Sequence, residues 1–431
     1  MSAAAGPAGA AAGAPAPRPR GAVRVVHAAD VHLDSPLRGL RRLGDDAVAQ
    51  TLRAATRGAL ERLVALCEDS GADALLLAGD LYDGTWHDYA TGRFFTRQVQ
   101  RLADSGVRVF VVSGNHDAES QITRSLTLPA NVHRFGVDGA GTEVDEHLGL
   151  AVHGQGYRTR AVSTNLAAGY PARVPGLVNV GLLHATVDGS QGEHERYAPC
   201  SVADLTALGY EYVALGHVHA REVLATGRTT VAYSGNLQGR HPRETGPKGA
   251  YVVDLLPDGE ASLAFHALDV ARWESLEVDV TGAADVAGAA EALREALLGA
   301  REGAGDRPLV VRATLTGPTA AAADLADAER LRQEAEQVAE GAGVVLEKVE
   351  SRARVPRAGG GDDPELVEAV RRAAEALAHD PALTGHVRAV RNEVGRLLKE
   401  ADLLDLGDPR ALRALAERAA EDLVTRLGGG R

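Results

Sequence analysis

Short β-branched and aliphatic runs alternate with longer stretches of helical periodicity from Val23 to about Leu268. Val23–Ala28 is a strand-like run, and Ala47–Leu66 carries apolar residues at helical spacing (Val48, Leu52, Ala55, Ala59, Leu63, Leu66). Ala74–Leu77 predicts a buried strand, Tyr89–Leu102 a helix and Val107–Val112 another strand. This β-α-β-α-β order is the pattern of a wound α/β sheet. Strand-like runs then dominate, at Leu150–His153, Val178–His184, Tyr210–Leu215, Thr229–Ser234 and Ala250–Leu255, which predicts a second sheet packed on the first.

The pattern changes near Trp273. A strand over Ser275–Val280, a helix over Ala284–Leu298, a strand over Leu309–Thr316, a helix over Ala321–Ala339 and a strand over Gly343–Lys348 predict a small α+β unit. Arg352–Pro364, with Pro356 and Gly359-Gly360-Gly361, reads as a linker, and three amphipathic helices follow. The first opens at Asp363-Pro364 and the third at Asp408-Pro409, each a good cap and first-turn pair. The expected division is a disordered Ala/Pro-rich tail over 1–20, a main domain over 21–268, an α+β capping domain over 270–352, a linker over 353–363 and a helical region over 364–431.

Composition narrows the class. The 431 residues suffice for two or three domains, and 45% are apolar. A net charge of -13 argues mildly against a nucleic-acid binder, although metals or a local basic patch can supply the attraction. Two cysteines, Cys67 and Cys200, make no disulfide framework and fit a reducing, cytoplasmic setting. The opening segment is broken by Pro7, Pro15 and Pro17 and lacks a signal-peptide core, and no window predicts a membrane span.

The chemistry sits where the strand-like runs end. Asp30-Val31-His32, Gly79-Asp80-Leu81-Tyr82-Asp83, Gly114-Asn115-His116-Asp117, Leu183-His184 and Gly216-His217-Val218-His219 each follow an apolar run. In α/β sheets that is where ligands bind. Asp30 and His32, like His217 and His219, lie two apart and present paired ligands from an extended segment. Asp80 is the candidate bridge between two cations, since each carboxylate oxygen can take one. Asn115 offers an amide oxygen and His184 an imidazole. The donors are all oxygen or nitrogen, which favours Mn, Fe, Mg or Zn. His116 should diverge from Asn115 and reads as a proton donor to substrate. Asp117 either orients His116 or bonds to the backbone of its loop, and Asp83 is a candidate cap for the next helix. His27 and His153 read as core or supporting histidines.

These motifs resemble the calcineurin-like metallophosphoesterases. Asp30-Val31-His32-Leu33-Asp34-Ser35-Pro36, Gly114-Asn115-His116-Asp117-Ala118-Glu119-Ser120, Ala214-Leu215-Gly216-His217-Val218-His219 and Gly235-Asn236-Leu237-Gln238-Gly239-Arg240-His241 are similar to DNA repair exonucleases of the SbcD and YhaO type. The resemblance covers about residues 22–255. It implies a four-layer α/β/β/α sandwich. It implies one metal held by Asp30, His32, Asp80 and His219, and a second held by Asp80, Asn115, His184 and His217. It implies two divalent ions with Mn as the first expectation, in-line attack on phosphorus, and His116 as the transition-state or general-acid histidine. Relatives act on DNA ends with a coiled-coil ATPase of the SbcC type, gripped by C-terminal helices, and dimerise.

The expected function is thus a metal-dependent DNA exonuclease or endonuclease of an SbcCD-like complex. The alternatives are a small-molecule phosphodiesterase and a non-catalytic scaffold for the ATPase. A protein phosphatase is disfavoured, because no Arg follows Asp83 and Asp117 stands where a Glu is usual. Arg240, His241, Arg243 and Lys248, with Arg38, Arg41 and Arg42, form the candidate basic patch for DNA phosphates, with Arg240, Arg243 and Lys248 as the named contacts.

Overall fold

The computed structural model describes residues 17–35, 47–83, 89–119, 127–188 and 197–356, with a few helical positions between 368 and 376. The patterns at Arg38, Arg41 and Arg42, most of the N-terminal tail and the C-terminal amphipathic helices lie outside the described residues.

The described part forms two compact units. The first takes the residues up to Ser275 together with Leu298–Arg312 and Gly343–Glu347. It is built on two six-stranded sheets. The strands of one are β1 (Val23–Ala28), β2 (Ala74–Ala78), β3 (Arg108–Val112), β4 (Val132–Arg134), β11 (Gly249–Leu255) and β12 (Ser262–Ala267). Their order across the sheet is β12-β11-β1-β2-β3-β4. Strands β1 to β4 run parallel, while β11 lies antiparallel to β1 and β12 to β11. The other sheet comprises β5 (Gly141–Asp145), β6 (Leu150–Gly154), β7 (Val178–His184), β8 (Tyr212–Gly216), β9 (Glu222–Ala225) and β10 (Thr230–Tyr233). Its order is β5-β6-β7-β8-β10-β9. Strands β6, β7, β8 and β10 are parallel, with antiparallel β5 and β9 at the edges.

Side chains alternate across each strand, and in β1 and β2 both faces are buried. Val23, Val25, Leu76 and Ala78 enter a core between the sheets with Phe110, Val152, Val180 and Tyr212. Val26, Ala28, Leu75 and Leu77 face the other way, against Leu60, Leu63, Phe94 and Val99. Those last four come from α2 (Ala55–Ser70) and α3 (Tyr89–Asp104), which form an outer layer. Beyond the second sheet, Leu183, Val213, Leu215 and Val231 pack with Leu205 of the short helix α4 (Val202–Ala207) and with Ala167. The layers are therefore α/β/β/α.

The periodicity over Ala47–Leu66 predicts one helix, and the structure divides it into α1 (Ala47–Arg53) and α2, with Ala54 at φ -92° and ψ 0° between them. Helix α2 stops at Gly71, whose φ of 60° is cheap only for glycine, and whose N–H bonds back to the last turn. Helix α4 carries a reciprocal capping box between Ser201 and Asp204.

The second unit takes Leu276–Leu297, Ala313–Ala342 and the described residues from Lys348 on. A third sheet is made of β13 (Arg272–Asp279), β14 (Leu309–Pro318) and β15 (Val345–Arg354), in that order. The helices that connect its strands are α5 (Val286–Ala304), α6 (Ala322–Leu325) and α7 (Ala328–Gly341). The single helix expected over Ala321–Ala339 is two, because Asp327 caps a fresh start, accepting from Glu329 N and Arg330 N. Strand β15 runs to Arg354, so the stretch expected as linker begins later than Arg352. Among the described residues no helix is long and apolar enough to cross a membrane.

Candidate metal centre

All five motifs meet at the carboxyl ends of parallel strands. Asp30 follows β1, Asp80 follows β2 and Asn115 follows β3, while His184 ends β7 and His217 follows β8. The first three come from one sheet and the others from its partner. Crowding there demands unusual backbone. Asp30, His32, Asp80 and His217 adopt φ of 50°, 43°, 53° and 101°. Non-glycine residues in this region are strained, and such strain clusters at functional sites. The flanking glycines leave no room for a side chain. A Cβ on Gly79 would collide with the His184 ring, and one on Gly114 with the Asp80 carboxylate.

Among the described residues, donor atoms converge in three groups, one of them His32, Asp83 and His116, and the other two sharing Asp30. Asp30, His32 and His219 bring one ligand atom each within 4.8 Å of one another, and so do Asp30, Asp80 and His184. Asp80 Oδ2 lies 3.5 Å from His184 Nε2 and 3.8 Å from His32 Nε2, so it also reaches a member of the other group. Its Oδ1 accepts the His116 N–H at 2.9 Å. Both Asp30 oxygens accept the His217 N–H, at 3.0 and 3.2 Å. His217 sits beside His184, their ring centroids 5.2 Å apart.

The protonation of the pocket is legible from its neighbours. Burial holds His184 neutral, with its pKa lowered to about 3. Its one proton is at Nδ1, 2.9 Å from the Ala78 carbonyl. Nε2 therefore faces Asn115 Oδ1 at 3.0 Å, acceptor against acceptor. His32 is also held neutral, by burial first and then by the field of Arg240. Its Nε2 stands 3.4 Å from Nε2 of His219. The facing acceptors of His184 and Asn115 would be reconciled by a shared cation, and the two Nε2 atoms of His32 and His219 lie close enough to share one. Burial, followed for Asp30 by the charge of Asp80, raises the pKa of both carboxyls. A divalent cation would supply the missing countercharge. The donor set thus fits hard or borderline divalent ions.

His116 stands beside these groups with a 30% exposed side chain. Its Nδ1 lies 2.8 Å from Asp83 Oδ1. Burial opposes protonation of His116, but the hydrogen bond to Asp83 and the fields of Asp80 and Asp83 outweigh it and raise the pKa. Burial likewise pushes Asp83 up, and hydrogen bonds from His116 and Ser35 with the charge of Arg240 hold it below the usual range. Asp83 is engaged with His116, Ser35 and Arg240, and the helix start near Thr85 that it is expected to cap lies outside the described residues. Of the two readings of Asp117, the loop-backbone one stands. Its carboxylate accepts from Leu81 N, Tyr82 N and Gly114 N at 3.0–3.1 Å and is buried.

The basic patch needs a correction too. Lys248 is buried, and its Nζ donates to the His219 carbonyl at 3.0 Å, so it does not face a phosphate backbone in solvent. Arg240 turns to Ser35 Oγ at 2.9 Å and Asp83 Oδ2 at 3.6 Å, with a side chain 14% exposed. Arg243 is exposed. His27 and His153 are core residues, His27 bonding Tyr212 Oη and the Leu215 carbonyl, and His153 bonding Thr142 and Asn179. Motif reading misses Glu244, although Arg243-Glu244-Thr245-Gly246 sits beside the patch. It lies 2.6 Å from His219 Nδ1.

Comparison with known proteins agrees with this geometry. Residues 23–221 match the family model for calcineurin-like phosphoesterases, and residues 273–354 match that for the middle domain of the metallophosphoesterase YhaO. The chain is 36% identical over 261 residues to the uncharacterized metallophosphoesterase YhaO of Bacillus subtilis (strain 168), covering 60% of this chain and 63% of that one. It is 25% identical over 281 residues to the SbcD component of nuclease SbcCD from the same organism, covering 56% of this chain and 68% of that one. It is also 25% identical over 217 residues to the DNA double-strand break repair protein Mre11 of Methanopyrus kandleri, covering 46% of this chain and 44% of that one. The match thus spans less than two thirds of YhaO and of Mre11. With its strand-end motifs, two-sheet sandwich and convergent donors, the chain carries a calcineurin-like metallophosphoesterase domain followed by a middle domain of the YhaO kind.

Proposed function

We propose that this chain is a metal-dependent DNA nuclease, hydrolysing phosphodiester bonds as the catalytic subunit of an SbcCD-like repair complex in the cytoplasm. The observation that carries the proposal is the convergence of ligand atoms, His32 with His219 and His184 with Asn115, with Asp80 Oδ2 in reach of both His32 and His184. Asp30, His32, Asp80 and His219 would hold one divalent ion, and Asp80, Asn115, His184 and His217 the other. Mn is the ion we assign. Bound there, the ions would neutralise phosphate charge and activate water for in-line displacement.

The chain's own groups supply the rest. The Asp83 carboxylate accepts from His116 Nδ1 and raises the pKa of the ring, which leaves a proton at Nε2 for the departing oxygen. Asp117 holds the Leu81–Tyr82 and Gly114 backbones and so fixes the loops that carry Asp80 and Asn115. Arg243 is the residue we assign to DNA phosphates. The names of the SbcCD and Mre11 relatives favour DNA as substrate and double-strand ends as its context. The residues after 363 are where we assign the docking of a coiled-coil ATPase partner, and dimerisation belongs to the same proposal.

The test is degradation of an end-labelled linear duplex by the purified chain in Mn, with Asp80→Ala as blank. Mn-dependent shortening, absent from the blank, is expected. Intact DNA together with hydrolysis of a generic phosphodiester would overturn the DNA assignment in favour of a small-molecule substrate.

A further inference from the structure

Between β10 and β11 the chain runs as a strap, residues 236–244, whose Glu244 reaches His219 and whose Arg240 reaches Asp83. The start of the strap is buried and anchored. Gln238 Nε2 donates to the Ala271 carbonyl at 2.6 Å, its Oε1 accepts from Val270 N at 2.7 Å, and Trp273 Nε1 donates to the Gly239 carbonyl at 2.9 Å. Glu244 lies at its far end.

We propose that Glu244 is a positioning residue for the metal centre, locking His219 in the one tautomer that can ligate, and that Arg240 ties this lock to the Asp83–His116 pair. The inference rests on the metal-centre reading above and goes beyond its ligand set.

An ionised carboxylate only accepts hydrogen bonds. Glu244 Oε1 is 2.6 Å from His219 Nδ1, so that nitrogen carries the proton. Nε2 is left with its lone pair, 3.7 Å from Asp30 Oδ1 and 3.4 Å from His32 Nε2, on the side where the other donors converge. Glu244 is itself immobilised. Its Oε2 accepts from Arg240 N at 2.7 Å and from Asn236 Nδ2 at 3.1 Å. The ring of His219 is thus held from behind by a carboxylate whose second oxygen is tied to the strap. Such outer partners orient the imidazole and raise its basicity.

Arg240 extends the same network. Its guanidinium reaches Ser35 Oγ at 2.9 Å, and Ser35 Oγ donates to Asp83 Oδ2 at 2.7 Å. It also lies 3.6 Å from Asp83 Oδ2 and 4.0 Å from Glu244 Oε1. One cation therefore stands between the carboxylate behind His219 and the carboxylate behind His116.

The experiment is calorimetric titration of the full chain and of Glu244→Gln with Zn, with His219→Ala and the double variant completing a cycle. Gln can satisfy the strap or His219, but an amide cannot accept from all three donors. The expected result is a loss of about 10–100-fold in affinity for one of two ions. The second ion should be unaffected, and adding Glu244→Gln to His219→Ala should bring little further loss. Equal weakening of both ions, or additive losses in the double variant, would overturn the inference and leave the metal centre standing. A wild-type chain that binds no ion would overturn both. Long-range proton–nitrogen correlation spectra of the Zn-loaded wild type read the tautomer without any Glu244 variant. A proton on Nε2 of His219 would also overturn the inference.

Discussion

His116 Nδ1 and Asp83 Oδ1 face each other at 2.8 Å, so the histidine nearest the candidate ligands is itself steered by a carboxylate from another strand end. Asp83 raises the pKa of His116. In Asp83→Asn that support is gone, and the acid form of His116 is lost at lower pH. The alkaline fall of turnover should therefore begin earlier, and kcat at neutral pH should drop by about 10²-fold, the low end for a mispositioned general acid. Affinity for divalent metal should hold. A pH–rate profile beside a metal titration checks both, and an unmoved alkaline limb would sink the role of the pair.

A second expectation concerns acid stability. His27 is buried between the sheets with its pKa lowered to about 3, by burial first, against a partial gain from the Leu215 carbonyl. The unfolded chain takes up this proton near the ordinary value of 6.5 while the folded chain refuses it. The stability is therefore present above that value and is lost as pH falls toward about 3, by about 1.4 kcal/mol per unit. His27→Gln should be less stable at neutral pH, and its stability should decline less steeply on acidification. Urea melts at stepped pH read both slopes.

The two faces of the basic patch separate by mutation. Arg243→Ala should weaken DNA binding evenly across sequences and reduce the salt slope by about 0.9. Lys248→Met should leave the slope alone and cost about 1.5–3 kcal/mol in stability, since it removes a charged hydrogen bond to the His219 carbonyl, which keeps only Asn236 N. Binding isotherms across a salt series and thermal melts give the comparison. A salt slope altered by Lys248→Met would contradict its burial.

Space at the third motif is a further handle. A Cβ at Gly114 would strike Asp80 Oδ1 and approach the Asp80 nitrogen to 2.9 Å. Gly114→Ala should therefore displace the Asp80 carboxylate and lower turnover by more than about 10²-fold, as small misplacements at a reacting centre do. Metal binding should weaken while the circular dichroism spectrum stays unchanged. Full activity in Gly114→Ala would mean that Asp80 has freedom the packing denies it.

Much of this is legible from residue pattern. Strands β1 and β7 fall on the runs Val23–Ala28 and Val178–His184, because continuous β-branched and aliphatic stretches bounded by polar residues can be little else. The edge strands are not. Strand β5, Gly141–Asp145, is largely exposed and pairs through its backbone, which leaves no apolar signature. The break at Ala54 has no glycine or proline to announce it. Helix α4 has a readable capping box in Ser201 and Asp204 that its six residues obscure. The ligand motifs are visible because each is contiguous. Asp83 with His116 and Glu244 with His219 are not, since those pairs exist only once distant loops meet. Lys248 looks like surface for the same reason, as nothing local says that a lysine will be covered.

The order of strands in the first sheet sets a timetable for synthesis. Strand β1, which leads directly into Asp30 and His32, is flanked on one side by β2 and on the other by β11, with Val23 opposite Leu255 and His27 opposite Tyr251. While the chain is being made, the first motif must wait for residues more than two hundred positions away, on the order of ten seconds or more at ordinary elongation rates. Until then an apolar strand has an open edge. A chain stopped at Arg221, where the phosphoesterase match ends, would already contain Asp30, Asp80, Asn115, His184, His217 and His219 and yet lack the strand that closes the sheet behind them. Completion of the candidate metal centre is accordingly a late event in the life of this polypeptide, and shortened forms should be recovered as aggregates.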